Sequence, residues 1–182
     1  LIELVAEADD SLMEKFFEAG TLTQDELAQG LATATRAAKI FPLLCAAGLP
    51  NLGAQPLMDA AIAYLPSPAE RAFPALANGE PVSRPADDAA PYAAFVWKTV
   101  ADQFAGRITM FRVVQGTLKA DSTVQNATRN APERLGHLMV MQGKTPTNVA
   151  EIHAGDLGAV AKLKDTRTND TLADKAAGVT FA

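Results

Sequence analysis

The architecture of this chain is set by residues 91–174, which read PYAAFVWKTVADQFAGRITMFRVVQGTLKADSTVQNATRNAPERLGHLMVMQGKTPTNVAEIHAGDLGAVAKLKDTRTNDTLAD. Short runs of aromatic and β-branched residues alternate in it with Gly, Asn and Asp. This spacing predicts a small antiparallel barrel or sandwich and not helices. Gly116 is expected to supply the positive φ of a tight hairpin over residues 114–117, and residues 154–156 a second tight turn.

The first third of the chain has a different pattern. Leu1–Gly20 predicts one amphipathic helix or a pair of short ones, with Gly20 as the stop. Thr23 and Glu26 have the spacing of a capping box, which predicts the start of the next helix. Residues 40–45 predict a buried strand, and residues 55–65 a final helix.

Charge divides the 182-residue chain in two, although its net charge is only −5. Residues 1–90 carry five basic and thirteen acidic side chains, whereas residues 91–182 carry eleven basic and eight acidic ones. The asymmetry indicates two units with different partners. The basic excess permits an RNA-binding surface, but an ordinary solvated surface accounts for it equally well. No apolar run is long enough to span a bilayer.

The sequence provides few candidates for catalysis or metal binding. Cys45 lies in an apolar run and is predicted to be buried and structural. His137 is expected on a strand face and His153 in an exposed position, and neither has an evident serine or carboxylate partner. We therefore predict no catalytic residue and no metal site. The chain also contains no G-x-x-x-x-G-K-[ST] phosphate loop and no Asn-Lys-x-Asp motif, so it should not hydrolyse GTP alone.

Seven short motifs of the second half occur in a recognisable order: FVWKT (95–99), FAGRIT (104–109), FRV (111–113), GTL (116–118), ERL (133–135), AGDL (154–157) and TNDTL (168–172). Together they resemble the second domain of elongation factor G and of its relatives among the translational GTPases. The resemblance implies an α/β fragment followed by an all-β domain, a translation-factor-type antiparallel β-barrel. It divides the chain into the C-terminal part of a P-loop GTPase domain with helices and one strand (1–68), a linker (69–90), the barrel (91–175) and a tail (176–182). The linker is predicted from composition, because that region is rich in Pro, Ala and Asp and has few large apolar residues.

Two departures from the family accompany this resemblance. Ala47, Gly48 and Leu49 occupy the positions of the loop that packs on the guanine base, but Ala47 replaces a serine and Gly48 an alanine, so a hydroxyl is lost. A plain strand-to-helix loop describes these residues equally well. Asn169 stands where the family has glycine, and Asn is the next-best residue for a left-handed turn. We interpret both departures as marks of a divergent elongation-factor-G-like branch.

The resemblance also implies partners. The barrel is expected to bind small-subunit ribosomal RNA and to relay nucleotide state in translocation, in a cytoplasmic protein that contacts neither membrane nor DNA. GTP with Mg²⁺ is expected in the parent protein, with none bound by this chain. Trp97 is predicted to be a core residue and not a platform for a base. The candidate phosphate contacts are Lys98, Arg107, Arg112, Arg129, Arg134, Lys144, Lys162, Lys164 and Arg167, of which Arg112 is expected to pair internally.

Alternatives remain at this point. A ribosomal protection or release-factor-type GTPase would share the same barrel, and a non-nucleotide β-barrel that binds proteins would share its strand pattern. Because the chain begins at Leu1 in the middle of a helical pattern, we expect it to be a piece of a longer protein, with the remaining domains of that protein as partners.

Overall fold

The computed structural model describes residues 1–103 and 106–181. Phe104 and Ala105 of the predicted FAGRIT motif and Ala182 of the predicted tail lie outside the described residues. The chain divides into two compact units, Leu1–Pro66 and Ser67–Ala182, called below the helical unit and the β unit. None of the described helices is long and apolar enough to cross a membrane.

The helical unit contains four helices: α1 (Ile2–Ala6), α2 (Asp10–Ala19), α3 (Gln24–Arg36) and α4 (Ala54–Tyr64). The predicted pair of short helices is confirmed, and Gly20 ends α2 in the left-handed region with φ 71°. The capping box is also confirmed, because Thr23 and Glu26 exchange side-chain and backbone hydrogen bonds at the start of α3. Val5, Leu22 and Ala34 are buried in the small core of this unit.

The predicted strand over residues 40–45 is wrong. Ile40 is buried, but the residues that follow it are mostly exposed, with Leu43 at 94%. Cys45, predicted to be buried, is exposed as well. An isolated strand is not stable without a partner, and no strand is present in the described helical unit. The run therefore stays irregular.

The described residues of the β unit form twelve strands, followed by a short 3₁₀ helix over Lys175–Ala177. The strands are β1 (Phe73–Ala77), β2 (Glu80–Arg84), β3 (Ala93–Asp102), β4 (Gly106–Gln115), β5 (Leu118–Lys119), β6 (Thr123–Asn126), β7 (Ala131–Arg134), β8 (Leu138–Gln142), β9 (Thr145–Val149), β10 (Glu151–Ile152), β11 (Leu157–Ala161) and β12 (Thr171–Ala173). Eight of them form one antiparallel sheet in the order β7-β6-β12-β3-β4-β11-β8-β9. The pairs β1–β2 and β5–β10 form two separate ladders.

The large sheet curls around one apolar core. Side chains from strands far apart in the sheet, among them Val96 on β3, Val124 on β6 and Leu138 on β8, belong to the same buried cluster. The fold-class prediction, helices followed by an antiparallel β domain, is confirmed. The edge strands β7 and β9 do not pair with each other among the described residues. Leu118 and Ile152 of the short β5–β10 ladder belong to the same buried cluster, and the Ala120 N–H extends the ladder by donating to the Ala150 carbonyl at 2.9 Å.

Residues 69–90, predicted as a linker, contain the β1–β2 hairpin. Its turn is Asn78-Gly79, where both residues have positive φ (52° and 86°), as a two-residue hairpin turn requires. The hairpin packs on the outer side of the sheet, where Phe73 contacts Phe95 and Phe181 in a second buried cluster. The C-terminal segment completes this cluster through two backbone hydrogen bonds between Leu76 and Thr180.

The two predicted turns have different outcomes. The turn over residues 154–156 is confirmed, because the Asp156 N–H donates to the His153 carbonyl and Gly155 has φ 94°. Gly116 has the expected positive φ of 72°, but β4 and β5 do not pair, so it does not form a hairpin. Glycine is needed there for a second reason: a Cβ at Gly116 would lie 2.4 Å from the Tyr92 Cα.

Candidate nucleic-acid interface

The connection from β11 to β12, residues 162–170, carries three of the predicted phosphate contacts, Lys162, Lys164 and Arg167. All three are exposed. We call this connection the rim segment. Although it contains no regular strand or helix, its backbone is held at several points by side chains from distant parts of the β unit.

The first anchor of the rim segment is the carboxylate of Glu133 on β7, which is 3% exposed. Its oxygens accept hydrogen bonds from the backbone N–H groups of Lys164 (3.0 Å), Asp165 (2.8 Å) and Thr166 (2.9 Å), and from the Thr166 hydroxyl (2.8 Å). Burial raises the pKa of Glu133, but these hydrogen bonds outweigh burial and hold the pKa below its usual value. The carboxylate is therefore charged when it holds the segment.

The second anchor is Asp170, at the end of the segment. Its Oδ2 accepts from the Arg167 N–H at 2.8 Å, from Asn126 Nδ2 at 2.9 Å and from Arg129 Nε at 2.6 Å. Burial raises the pKa of Asp170, but its donors, Arg129 foremost, bring the net pKa below the usual value. Asn126 also donates to the Thr166 hydroxyl at 3.2 Å and so joins the two anchors.

Further hydrogen bonds join the rim segment to β3 and to the start of β4. The Lys162 N–H donates to the Arg107 carbonyl at 2.9 Å, and the Arg107 guanidinium donates to the carbonyls of Leu163 and Lys164. The Thr99 N–H donates to the Thr168 hydroxyl at 3.1 Å. Three exposed cations belong to the segment itself, Lys162, Lys164 and Arg167. Two more, Lys98 and Arg134, directly precede or follow its partner residues Thr99 and Glu133 in the sequence. We call these five residues the basic rim.

Four other predicted contacts do not belong to the basic rim. Arg107 is half-buried, and its guanidinium is bound to carbonyl groups. Arg129 is ion-paired with Asp170. Lys144 lies in the β8–β9 turn, at the far end of β8 from the β11 terminus where the rim segment starts. Arg112 is half-buried on β4 and has no carboxylate partner among the described residues, so its predicted internal ion pair is not present.

The three guanine-loop positions lie in a small closed turn of the helical unit. The Ala47 N–H donates to the Leu52 carbonyl at 2.9 Å, and the Leu52 N–H returns a bond of 3.0 Å to the Ala47 carbonyl. The Gly48 carbonyl accepts from the Asn51 N–H, and Leu49 is fully exposed. The Ala47 amide is therefore already used within the turn. The assignment of this turn to a guanine base stays a prediction.

Trp97 is 42% exposed, so the prediction of a core residue is wrong. On β3, Ala94 and Val96 point into the core, and the alternation of a strand sends Trp97 to the outer face. Trp97 is itself the extra residue of a β-bulge, since Val96 pairs with Phe111 and Lys98 with Met110. The alternation from Ala94 was a signal in the sequence that could have identified this exposed position.

The two histidines also differ in part from expectation. His153 is exposed as predicted, but it has carboxylate partners: Nδ1 lies 3.0 Å from Asp88 and Nε2 lies 3.5 Å from Glu151. Asp88 comes from the segment predicted as a linker, and the backbone N–H of Ala154, which donates to it, holds its pKa below the usual value. His137 precedes β8 and does not lie within a strand. Among the described residues, no group of three or more His, Cys, Asp and Glu side chains is arranged to hold a metal ion.

Comparison with known proteins adds two findings. Residues 91–175 match the family model of elongation factor G domain 2. The full chain is similar to a protein of Thermus thermophilus with a known crystal structure, at 29% sequence identity and a TM-score of 0.73. This similarity covers 100% of the chain and 26% of the Thermus protein, so the chain spans about a quarter of the length of that relative.

Proposed function

We propose that the chain is part of an elongation-factor-G-like translation factor, and that its domain over residues 91–175, which matches elongation factor G domain 2, docks the factor on the small subunit of the ribosome. The ligand would be the phosphate backbone of ribosomal RNA. In the same proposal the domain relays nucleotide state to the rest of the factor during translocation. The observation that carries the docking proposal is the basic rim, a set of exposed cations on an anchored backbone within the matched domain.

Anchoring matters because phosphate contacts cost less when the backbone that presents them is already ordered. Lys164 and Arg167 supply backbone N–H groups to Glu133 and Asp170, while their own side chains stay exposed. The two functions of each residue are therefore separate: the main chain fixes the position and the side chain meets the ligand. Glu133 and Asp170 are buried and hydrogen-bonded, so their charges are not presented to RNA beside the cations.

GTP with Mg²⁺ would be the cofactor of the whole factor. We propose that this chain does not hold it, because the sequence contains no phosphate loop and the Ala47 amide already donates to the Leu52 carbonyl within its own turn. We therefore assign no catalytic step to this chain. Its contribution to the factor is docking and transmission.

Sedimentation of the 182-residue chain with purified small ribosomal subunits tests the proposal. We expect binding to weaken steeply as salt is raised, because each phosphate contact releases counterions. The variant Lys162→Gln/Lys164→Gln/Arg167→Gln should bind more weakly and should reduce the slope of log K against log salt by about two. Glutamine keeps the backbone N–H groups that the two anchors use.

The matched control is Lys119→Gln/Lys144→Gln/Lys175→Gln, which removes the same charge from exposed positions outside the basic rim. This control should keep nearly the full salt slope. Equal losses in the two triple variants would show that net charge and not the basic rim drives binding. Binding that ignores salt would contradict a phosphate ligand altogether.

A further inference from the structure

On the outer face of the large sheet, the apolar surface extends beyond the part that the β1–β2 hairpin and the C-terminal segment cover. Near the start of β3, Phe95 lies under the β1–β2 hairpin and the C-terminal segment, with its ring centroid 6.1 Å from that of Phe73 and 6.3 Å from that of Phe181. Two residues further along the same strand, Trp97 has no such cover. The covered aromatic cluster therefore ends where an exposed aromatic side chain begins.

Trp97 lines a groove of about 820 Å³ in the β unit. The other apolar side chains that line it are those of Met110, Val140, Met141, Val149, Ile152 and Leu157. Leu157 is 56% exposed and Val140 43% exposed, although both lie on strands of the sheet. We call this surface the tryptophan groove. A volume of this size accommodates several large side chains of a partner, and methionine adapts its shape to what binds.

The charged residues of the tryptophan groove are acidic. Glu151 and Asp156 line it, and no Lys or Arg is among the described residues that do. Both carboxylates are exposed, and Glu151 Oε1 lies 3.5 Å from His153 Nε2. Residues 91–182 carry a net positive charge, with eleven basic and eight acidic side chains, so the groove is an acidic site within a basic region.

We propose that the tryptophan groove binds a polypeptide segment in which large apolar side chains alternate with lysine or arginine. The apolar lining takes the large side chains, the two carboxylates pair with the cations, and the indole face adds a cation–π contact. RNA is the less suitable ligand, because its phosphates would meet the carboxylates of Glu151 and Asp156. The groove is thus a protein-binding site distinct from the basic rim.

Trp97 is the single tryptophan of the sequence and reports on this site directly. A short synthetic peptide of alternating leucine and lysine is titrated into the 182-residue chain while tryptophan emission is recorded. We expect a saturable blue shift, because the peptide would remove the indole from water. The affinity should fall about threefold or more in the variant Glu151→Gln/Asp156→Asn, since two exposed charge pairs are lost.

Two further variants sharpen the test. Leu157→Ser removes apolar surface from the groove at an exposed position and should weaken binding about tenfold. Glu80→Gln/Asp121→Asn removes two exposed carboxylates that do not line the groove and should leave the affinity unchanged. Circular dichroism of each variant establishes that the fold is kept.

Three results would overturn the proposal. The first is an emission spectrum that does not respond to the peptide. The second is equal binding of a peptide of alternating leucine and glutamate, which would show that the two carboxylates do not select the partner. The third is a response to a single-stranded RNA oligonucleotide in place of the peptide, which would make the groove part of a nucleic-acid surface.

Discussion

The substitution Glu133→Gln tests whether the rim segment depends on a buried carboxylate. In the structure Oε1 accepts from the Asp165 N–H, the Thr166 N–H and the Thr166 hydroxyl, while Oε2 accepts from the Lys164 N–H. Glutamine keeps one carbonyl oxygen, but its NH₂ group would face a second donor. At least one charge-assisted hydrogen bond is lost, and the partly buried Lys164 N–H is left without a partner. We expect the free energy of unfolding to fall by about 2–4 kcal/mol.

Urea unfolding followed by Trp97 emission measures this loss, since the single tryptophan lies in the β unit. The matched control is Glu151→Gln, the same change at an exposed carboxylate, which should cost less than about 0.5 kcal/mol. Glu133→Gln should also weaken binding to the small ribosomal subunit, although it removes no cation. A loss of stability no larger than that of the control would refute the anchoring role of Glu133.

Three other predictions follow from the structure. The pKa values of Glu133 and Asp170 are lowered in the folded protein, so the two carboxylates stabilise the fold above their ordinary pKa values of 4.5 and 3.8. This stabilisation is lost as the pH falls through the lower pKa values of the folded state. Urea midpoints measured from about pH 7 to pH 2 should show the decline, and a flat profile would contradict it. Gly116→Ala should lower the free energy of unfolding by about 2 kcal/mol or more, because the Cβ of the new alanine would overlap Tyr92. In the same assay Gly136→Ala should change the free energy of unfolding little, because a Cβ at that position meets no atom within 4 Å. Isothermal titration calorimetry of the chain with GTP and Mg²⁺ should give no binding at micromolar concentrations, and a saturable signal would show that a nucleotide site exists without a phosphate loop.

Local signals in the sequence predicted the elements whose causes are local. The capping box at Thr23 depends on two residues three positions apart, and the turn at Gly155 on its immediate neighbours, and both are present. The Asn78-Gly79 hairpin is equally local, with the commonest two-residue turn signal, but the proline and alanine of its flanking residues favoured a linker.

Other predictions failed because the residues that decide the structure lie far apart in the chain, or because the described helical unit does not contain the partner that an element needs. The apolar composition of residues 40–45 suits a buried strand, but a strand forms only if another strand pairs with it, and the described helical unit has none. The anchors of the basic rim show the opposite case. The motifs ERL and TNDTL contained Glu133 and Asp170, but their donors lie up to 44 positions away, and only the fold brings them together.

The second cluster has a consequence for the order of folding. The β1–β2 hairpin comes first in the sequence of the β unit. Leu76 of this hairpin pairs with Thr180, which lies near the other end of the unit. Phe181 then fills the space between Phe73 and Phe95. During synthesis from the N-terminus, Phe73 of the hairpin therefore lacks its contact with Phe181 until almost the whole unit has emerged. The C-terminal segment is therefore the last part of this cluster to pack, and residues near the two ends of the β unit determine how cooperatively it folds.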